Sequence, residues 1–252
     1  MRKKVLIVGY GVVGHNLYEE IKVLEPNIYD KYKPSYSIKK KTKYDFCFIC
    51  IDTKKMDTVE APIDDLIEVI NEHDANIYII KSTILPGSIE KLKEITKKKI
   101  IFSPEYYGGT QHCNNFNFDF TILGGDKEDC IEVQQLLQNV YDARHTFRIV
   151  DSKTAELVKY MENSWLATKV AFCCQFYEIA NSIGVDYESL RELFILDQRV
   201  NPSHTFVYKD HPYYTSHCLD KDVPAIAATT DAELLDAIIK FNERQKLKHK
   251  EL

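Results

Sequence analysis

Gly9-Tyr10-Gly11-Val12-Val13-Gly14 is a G-x-G-x-x-G that directly follows the apolar run Val5–Val8 and opens the helically spaced stretch Val12–Leu24. A strand, a glycine turn and a helix in that order make the opening of a dinucleotide-binding unit. The first glycine permits the tight turn, the second lets backbone approach a pyrophosphate, and the third lets helix pack on strand. The helix start then offers N–H groups to phosphate. Gly9, Gly11, Val12, Val13 and Gly14 are thus the candidate phosphate-contacting residues. Asp30 closes a second short strand, Asn27–Asp30, twenty-one positions after Gly9, where a carboxylate can accept both ribose hydroxyls. An acid there repels a 2'-phosphate, so NAD is the expected cofactor rather than NADP.

Working outward, apolar runs alternate with helical stretches up to residue 150. Strands are expected at Tyr44–Ile51, Asn76–Ile80, Lys99–Phe102, Phe118–Leu123 and Thr146–Val150, with helices at Ile63–Asn71, Ser88–Lys97 and Lys127–Val140. Such alternation specifies an α/β unit, a Rossmann-type parallel sheet with helices on its faces. The interval between Asp30 and Tyr44 holds Pro34 and several lysines, which leaves little room for a crossover helix. After Val150 the character changes. Residues 152 to about 183 read as one long helix capped by Asp151 or Ser152 and ended by Gly184, followed by a helix at Tyr187–Leu196, a Pro/His/Tyr-rich loop at Asn201–His217 and a final amphipathic helix from Asp231 to about Lys248. Two domains are expected, 1–150 for the cofactor and 151–252 for a helical part.

Composition sets limits on function. With 252 residues, 44% hydrophobic and 28% charged, the chain can bury a real core. A net charge of −5 gives no reason to expect a nucleic-acid partner, and the lysine runs 39–41, 97–99 and 246–250 read as solvated loops and helix ends. No signal peptide core follows the first residues and no run nears the ~20 apolar residues of a membrane span, so a cytoplasmic protein is expected. Seven irregularly spaced cysteines are not a disulfide framework. Cys47 and Cys50 lie three apart in a strand, so they face opposite sides of the sheet and cannot easily share a metal; like Cys173 and Cys174 they read as core thiols. No metal site is expected.

Further motifs stand at the strand ends: Ile51-Asp52-Thr53, Ser82-Thr83-Ile84-Leu85-Pro86-Gly87 and Ser103-Pro104-Glu105-Tyr106-Tyr107. Ligands on open α/β sheets bind beyond the carboxyl ends of strands, so these would border one crevice. Alone, Thr53 and Thr83 read as caps or turns and Glu105 as a surface acid. Taken in order, however, GYGVVG, STILPGS, SPEYYGG, AELVKYMENSWLATKVAF and SHCLDKD resemble the UDP-glucose/GDP-mannose dehydrogenase family over nearly the whole chain. That resemblance implies oxidation of a nucleotide-sugar C6 alcohol to a carboxylate by two NAD+ and a cysteine nucleophile. It assigns Cys218 as nucleophile, Asp222 as the water-activating or cysteine-supporting acid, Lys159 and Asn163 as the oxyanion- and water-holding pair, Glu105 as acid/base, Thr83 as the threonine beside the nicotinamide and, more loosely, Arg199 as a substrate contact. The long helix is a dimer core in that family, so a homodimer is expected.

The residues support those roles chemically. Lys159 and Asn163 are an i, i+4 pair able to point together, and a lysine beside an amide suits a developing oxyanion. A thiolate attacks an aldehyde, and the thiohemiacetal can then lose a second hydride to give a thioester; Lys221 and Lys159 would favour the thiolate. Departures are equally visible. Thr215, Ser216 and His217 stand where the family has a glycine pair, and Asp220 where it has proline. Tyr107-Gly108-Gly109-Thr110 lacks an arginine and a second glutamate. Residues Glu233–Lys240 resemble the helix that leads into the family's nucleotide-holding third domain, which this chain is expected to lack. Two other readings stay open: a two-electron hydroxyacid dehydrogenase, which needs no nucleophilic cysteine, and a non-catalytic NAD-binding remnant.

Overall fold

The computed structural model describes residues 2–36, 42–53, 63–107 and 118–250. Strands β1 (Val5–Val8), β2 (Asn27–Tyr29), β3 (Tyr44–Ile49), β4 (Ala75–Ile80), β5 (Lys99–Phe102), β6 (Phe120–Gly124) and β7 (Thr146–Val150) form one sheet in the order β2-β1-β3-β4-β5-β6-β7. Every pairing is parallel except β5 with β6. The order reverses direction at β1, so the carboxyl ends of β1 and β3 flank a topological switch point. Helices α1 (Val12–Ile21), α2 (Asp64–Glu72), α3 (Ser88–Thr96) and α4 (Lys127–Leu137) connect the strands. Strands buried on both faces read as near-continuous apolar runs, and each face has its own core. Leu6, Cys47, Ile49, Tyr78 and Phe102 lie in one; Ile7, Phe46, Cys50, Ile77 and Ile101 lie in the other. Cys47 and Cys50 therefore face opposite sides, and burial pushes the Cys50 thiol up to about 12 and that of Cys47 higher still. Among the described residues no group of His, Cys, Asp and Glu could hold a metal ion, and no helix is long and apolar enough to cross a membrane.

Between β2 and β3 the described residues contain no helix. Instead residues 30–36 close on themselves through Lys33 N–H to Asp30 O (3.2 Å), Tyr36 N–H to Lys33 O (2.9 Å) and Asp30 N–H to Tyr36 O (3.1 Å). The lysine run 39–41 lies outside the described residues. Helix α5 (Ser152–Ser182) runs unbroken for 31 residues. Asp151 is its N-cap: its carboxylate accepts from Thr154 N–H at 2.9 Å and Thr154 Oγ1 at 2.6 Å, which holds the acid below the usual carboxylate range. Then follow α6 (Tyr187–Phe194), α7 (His217–Ala227) and α8 (Glu233–Lys250). The compact units divide within α5, after Lys159, because the first turns of the helix pack on the sheet unit. Ala155 belongs to its core, and a side chain on Gly124 would strike Ala155 at 2.3 Å. The helical unit has its own core around Ala167, Ala171, Tyr214, Leu219, Val223 and Ile238.

Candidate functional site

The glycine-rich turn is fixed by contacts that no other residue tolerates at two of its three positions. Gly9 has φ +89°, and a Cβ there would lie 2.7 Å from Cys50 O; a Cβ on Gly14 would lie 1.9 Å from Gly9 O. Gly11 differs. Its φ of −78° suits any residue and a Cβ would meet no atom within 4 Å. Neither backbone strain nor packing requires glycine there, so the open approach to the start of α1 is what its missing side chain provides. As N-cap, Gly11 offers no side-chain bond to the first N–H groups of α1. Asp30 grips this turn: Oδ2 accepts Tyr10 N–H at 2.8 Å and Oδ1 accepts Tyr32 N–H at 2.8 Å. Lys33 Nζ donates to Tyr10 O at 2.6 Å from the other side of the same residue. A carboxylate has about four lone-pair sites, so Asp30 retains capacity for ribose hydroxyls.

A second cluster lies in the sheet unit, at the ends of β3, β4 and β5. Thr53 Oγ1 donates to Thr83 O at 3.1 Å and Ser82 Oγ to Ile51 O at 2.6 Å, which ties the two strand-end motifs together. Glu105 is buried, and its Oε2 accepts Tyr107 N–H at 2.8 Å. Lys159 is 4% exposed and its ammonium sits 4.9 Å from the centre of the Tyr106 ring, a cation–π contact beside Glu105. The structure thus brings Lys159 against the Glu105–Tyr106 turn. Sequence reasoning missed Lys81, a buried lysine whose Nζ lies 3.3 Å from Ser103 Oγ and 3.4 Å from Pro104 O. Burial holds its amine below the usual lysine range, while Cys50, Glu20 and Glu105 act against that and Lys159 with it. A lysine closing the apolar run Ile77–Ile80 was the available signal. The motif remainder, Gly108 to Thr110, lies outside the described residues.

In the helical unit Asn163 Nδ2 donates to Asp222 Oδ2 at 2.6 Å, and both are buried. Lys221 Nζ lies 3.1 Å from Asp222 Oδ1, yet Oδ1 gains no well-directed hydrogen bond; the contact is a charge pairing. Cys218 is half-buried at the second position of α7. Ser216, which stands where the resembling family has glycine, is the N-cap, its Oγ accepting Leu219 N–H at 3.1 Å. On a helix, Cys218 and Asp222 are an i, i+4 pair on one face, as are Lys159 and Asn163 on α5. Arg199 is not gathered into this cluster. Its guanidinium is 90% exposed and bound by Asp197 at 2.6 Å.

A doubly covered, mostly parallel sheet with a glycine-gated switch point, continued by a long helix into a helical unit, defines a Rossmann-type chain with an α-helical second unit. Known proteins refine that class. Residues 153–244 match the central domain of the UDP-glucose/GDP-mannose dehydrogenase family. The chain is 27% identical over 217 residues to a UDP-glucose 6-dehydrogenase of Rickettsia felis, covering 79% of this chain and 47% of that protein. Its fold is similar to a UDP-glucose dehydrogenase from the archaeon Pyrobaculum islandicum (TM-score 0.79, 20% identity, 97% of this chain and 68% of that one). It is also similar to a 3-hydroxyisobutyrate dehydrogenase of Mycobacterium tuberculosis (TM-score 0.67, 12% identity, 96% and 94%). The chain spans about half the length of the curated relatives it matches.

Proposed function

We propose that the chain binds NAD+ at the β1–α1 turn and oxidises the C6 alcohol of a nucleotide sugar to the carboxylate through Cys218. The observation that carries the covalent step is the start of α7. A thiol stands at its second residue, where the helix dipole favours an anion, and a buried carboxylate follows on the same face one turn later. For the cofactor, the support is Gly11, whose side-chain space is open where its neighbours' is filled. NAD+, when bound, supplies the two hydride acceptances that a four-electron oxidation requires. Balanced, one R–CH2OH, two NAD+ and one water yield one R–COO−, two NADH and three protons.

The chain's own residues do the rest. Glu105 takes the alcohol proton. Lys159, whose charge is already directed at this turn by Tyr106, and Asn163 hold the developing oxyanion. The Cys218 sulfur bonds to the aldehyde carbon to form a thiohemiacetal, and loss of hydride leaves a thioester; water held through Asp222 and Asn163 breaks the C–S bond and returns the thiolate. Thr53 and Thr83 line the nicotinamide end, since Gly9 and Asp30 at β1 and β2 claim the adenosine half and the other half then runs toward β3 and β4. Arg199, exposed and only loosely matched, is assigned to substrate. The resemblance in length and fold to 3-hydroxyisobutyrate dehydrogenase favours a second reading, a single two-electron oxidation of a hydroxyacid. Assaying the chain with UDP- and GDP-sugars and with 3-hydroxyacids for NADH formation separates the two: NADH from a nucleotide sugar supports ours, and NADH only from a hydroxyacid replaces it. NAD+ bound without turnover of any substrate would leave a cofactor-binding remnant.

The same reading includes a homodimer. Leu166 and Val170 pack on the helical core, but Met161, Trp165, Phe172, Phe176 and Ile179 on α5 are exposed, an apolar stripe suited to a second copy. Light scattering at micromolar concentration should give twice the chain mass.

A further inference from the structure

Glu156 is a fully buried carboxylate to which sequence reasoning gave no role. It lies on α5 and reaches across to the start of α3, where Oε2 accepts Gly87 N–H at 2.6 Å and Oε1 accepts Ile89 N–H at 2.8 Å. Helix α3 has no side-chain cap of its own, since Gly87 occupies the N-cap position. The Gly87 φ of +93° is a left-handed conformation that disfavours a serine or aspartate cap at position 87, so the cap comes from Glu156. Burial pushes the Glu156 carboxyl up to about 7; the two N–H donors and Lys153 oppose that and Glu90 adds to it. Glu90 is itself engaged by Ser152 Oγ at 3.0 Å. A buried acid in this position is therefore an expensive way to end a helix, and its location supplies the reason.

The loop it holds is the one that carries Thr83. Residues 82–87 are hydrogen-bonded at both ends, with Ile84 packed into the core between them. At one end Ser82 and Thr53 tie the loop to the end of β3; at the other, Gly87 and Ile89 are fixed to Glu156. One turn further along α5, on the same face, stands Lys159. Glu156 thus ties the helix start that follows the Thr83 loop to the turn of α5 that carries Lys159.

We infer that Glu156 is a positioning residue for the nicotinamide half of the cofactor site, acting through the Thr83 loop and touching neither cofactor nor substrate. This inference rests on the dinucleotide reading of the β1–α1 turn. Glu156→Gln tests it, because the amide is the same size and keeps one acceptor oxygen while losing the other. Affinities for NADH and for ADP-ribose, which lacks the nicotinamide, are measured by calorimetry on the whole chain, with amide exchange at residues 87 and 89 followed in parallel. Expected is a loss of about tenfold in NADH affinity with ADP-ribose within about twofold of wild type, and faster exchange at those two amides. Equal losses for both ligands would mark general damage and overturn the inference, as would no change in either. A wild-type chain that binds neither ligand refutes the dinucleotide reading, and the inference falls with it. Binding needs no turnover, so a chain that binds both ligands yet oxidises no sugar sinks the oxidation reading alone.

Discussion

The glycine-rich turn after β1 and the cysteine-bearing start of α7 both place a few groups at the first turn of a helix, but they are specified by different physics. The turn is local. Its shape follows from what glycine permits within six residues, with Cys50 and Asp30 bracing it. The start of α7 is assembled from afar: Asn163 reaches Asp222 across 59 residues, Lys246 reaches Asp220 across 26, and Pro224 interrupts the helix interior. Backbone sterics can be read from one stretch of sequence. A site made by distant side chains becomes visible only when the fold has brought them together.

The largest effect that would break this contrast is expected at the turn itself. Gly14→Ala drives a methyl against the Gly9 carbonyl oxygen and should destabilise the sheet unit by about 3 kcal/mol, read as a lowered melting temperature. Gly11→Ala meets nothing in the chain and should leave stability within about 0.5 kcal/mol while cutting NAD+ affinity at least about tenfold. Equal destabilisation by the two would remove the distinction between a packing glycine and a ligand glycine.

A smaller effect separates local from long-range design inside the sheet unit. Burial pushes the folded Glu156 carboxyl up to about 7, from 4.5 for an ordinary glutamate. Its raised folded value means that its contribution is fully present below pH 4.5 and is lost as pH rises through about 7. Urea unfolding across that range should show stability falling by on the order of 2–3 kcal/mol from this group; Glu156→Gln should remove that slope. A wild-type profile with no such decline would show that the two N–H donors offset burial completely.

Smallest is the cofactor preference. NAD+ is expected to bind at least about tenfold tighter than NADP+, a difference of about 1.4 kcal/mol, with Asp30→Asn narrowing the ratio. Since Asp30 also holds Tyr10 and Tyr32, the variant should weaken both cofactors. The ratio reports the charge, and the common loss reports the loop.

Much of the architecture was legible because it follows from periodicity. The strands came within a few residues of their observed bounds, the opposed faces of Cys47 and Cys50 follow from the two-residue period, and Asp151 caps α5 as a short acid before a helical run should. The antiparallel pairing of β6 was not legible, as strand direction depends on which edge the chain returns to. Helix α7 was also missed, since Pro224 breaks the helical signal that Ser216 begins. In the clusters, Glu105, Lys159, Asn163 and Asp222 emerged from motif order, and the structure buries all four. Lys81 and Glu156 could not be found that way. Their significance is a partner 22 or 67 residues distant, and burial of a charged residue is not a property of its neighbours in sequence.

Two-step oxidation through Cys218 is tested most directly by counting NADH per nucleotide sugar consumed to completion, for the wild-type chain and for Cys218→Ala. Two NADH and a carboxylate from wild type, with no free aldehyde, and at most one NADH from the variant are the expected result. One NADH per sugar from the wild-type chain, or two from the variant, would contradict it.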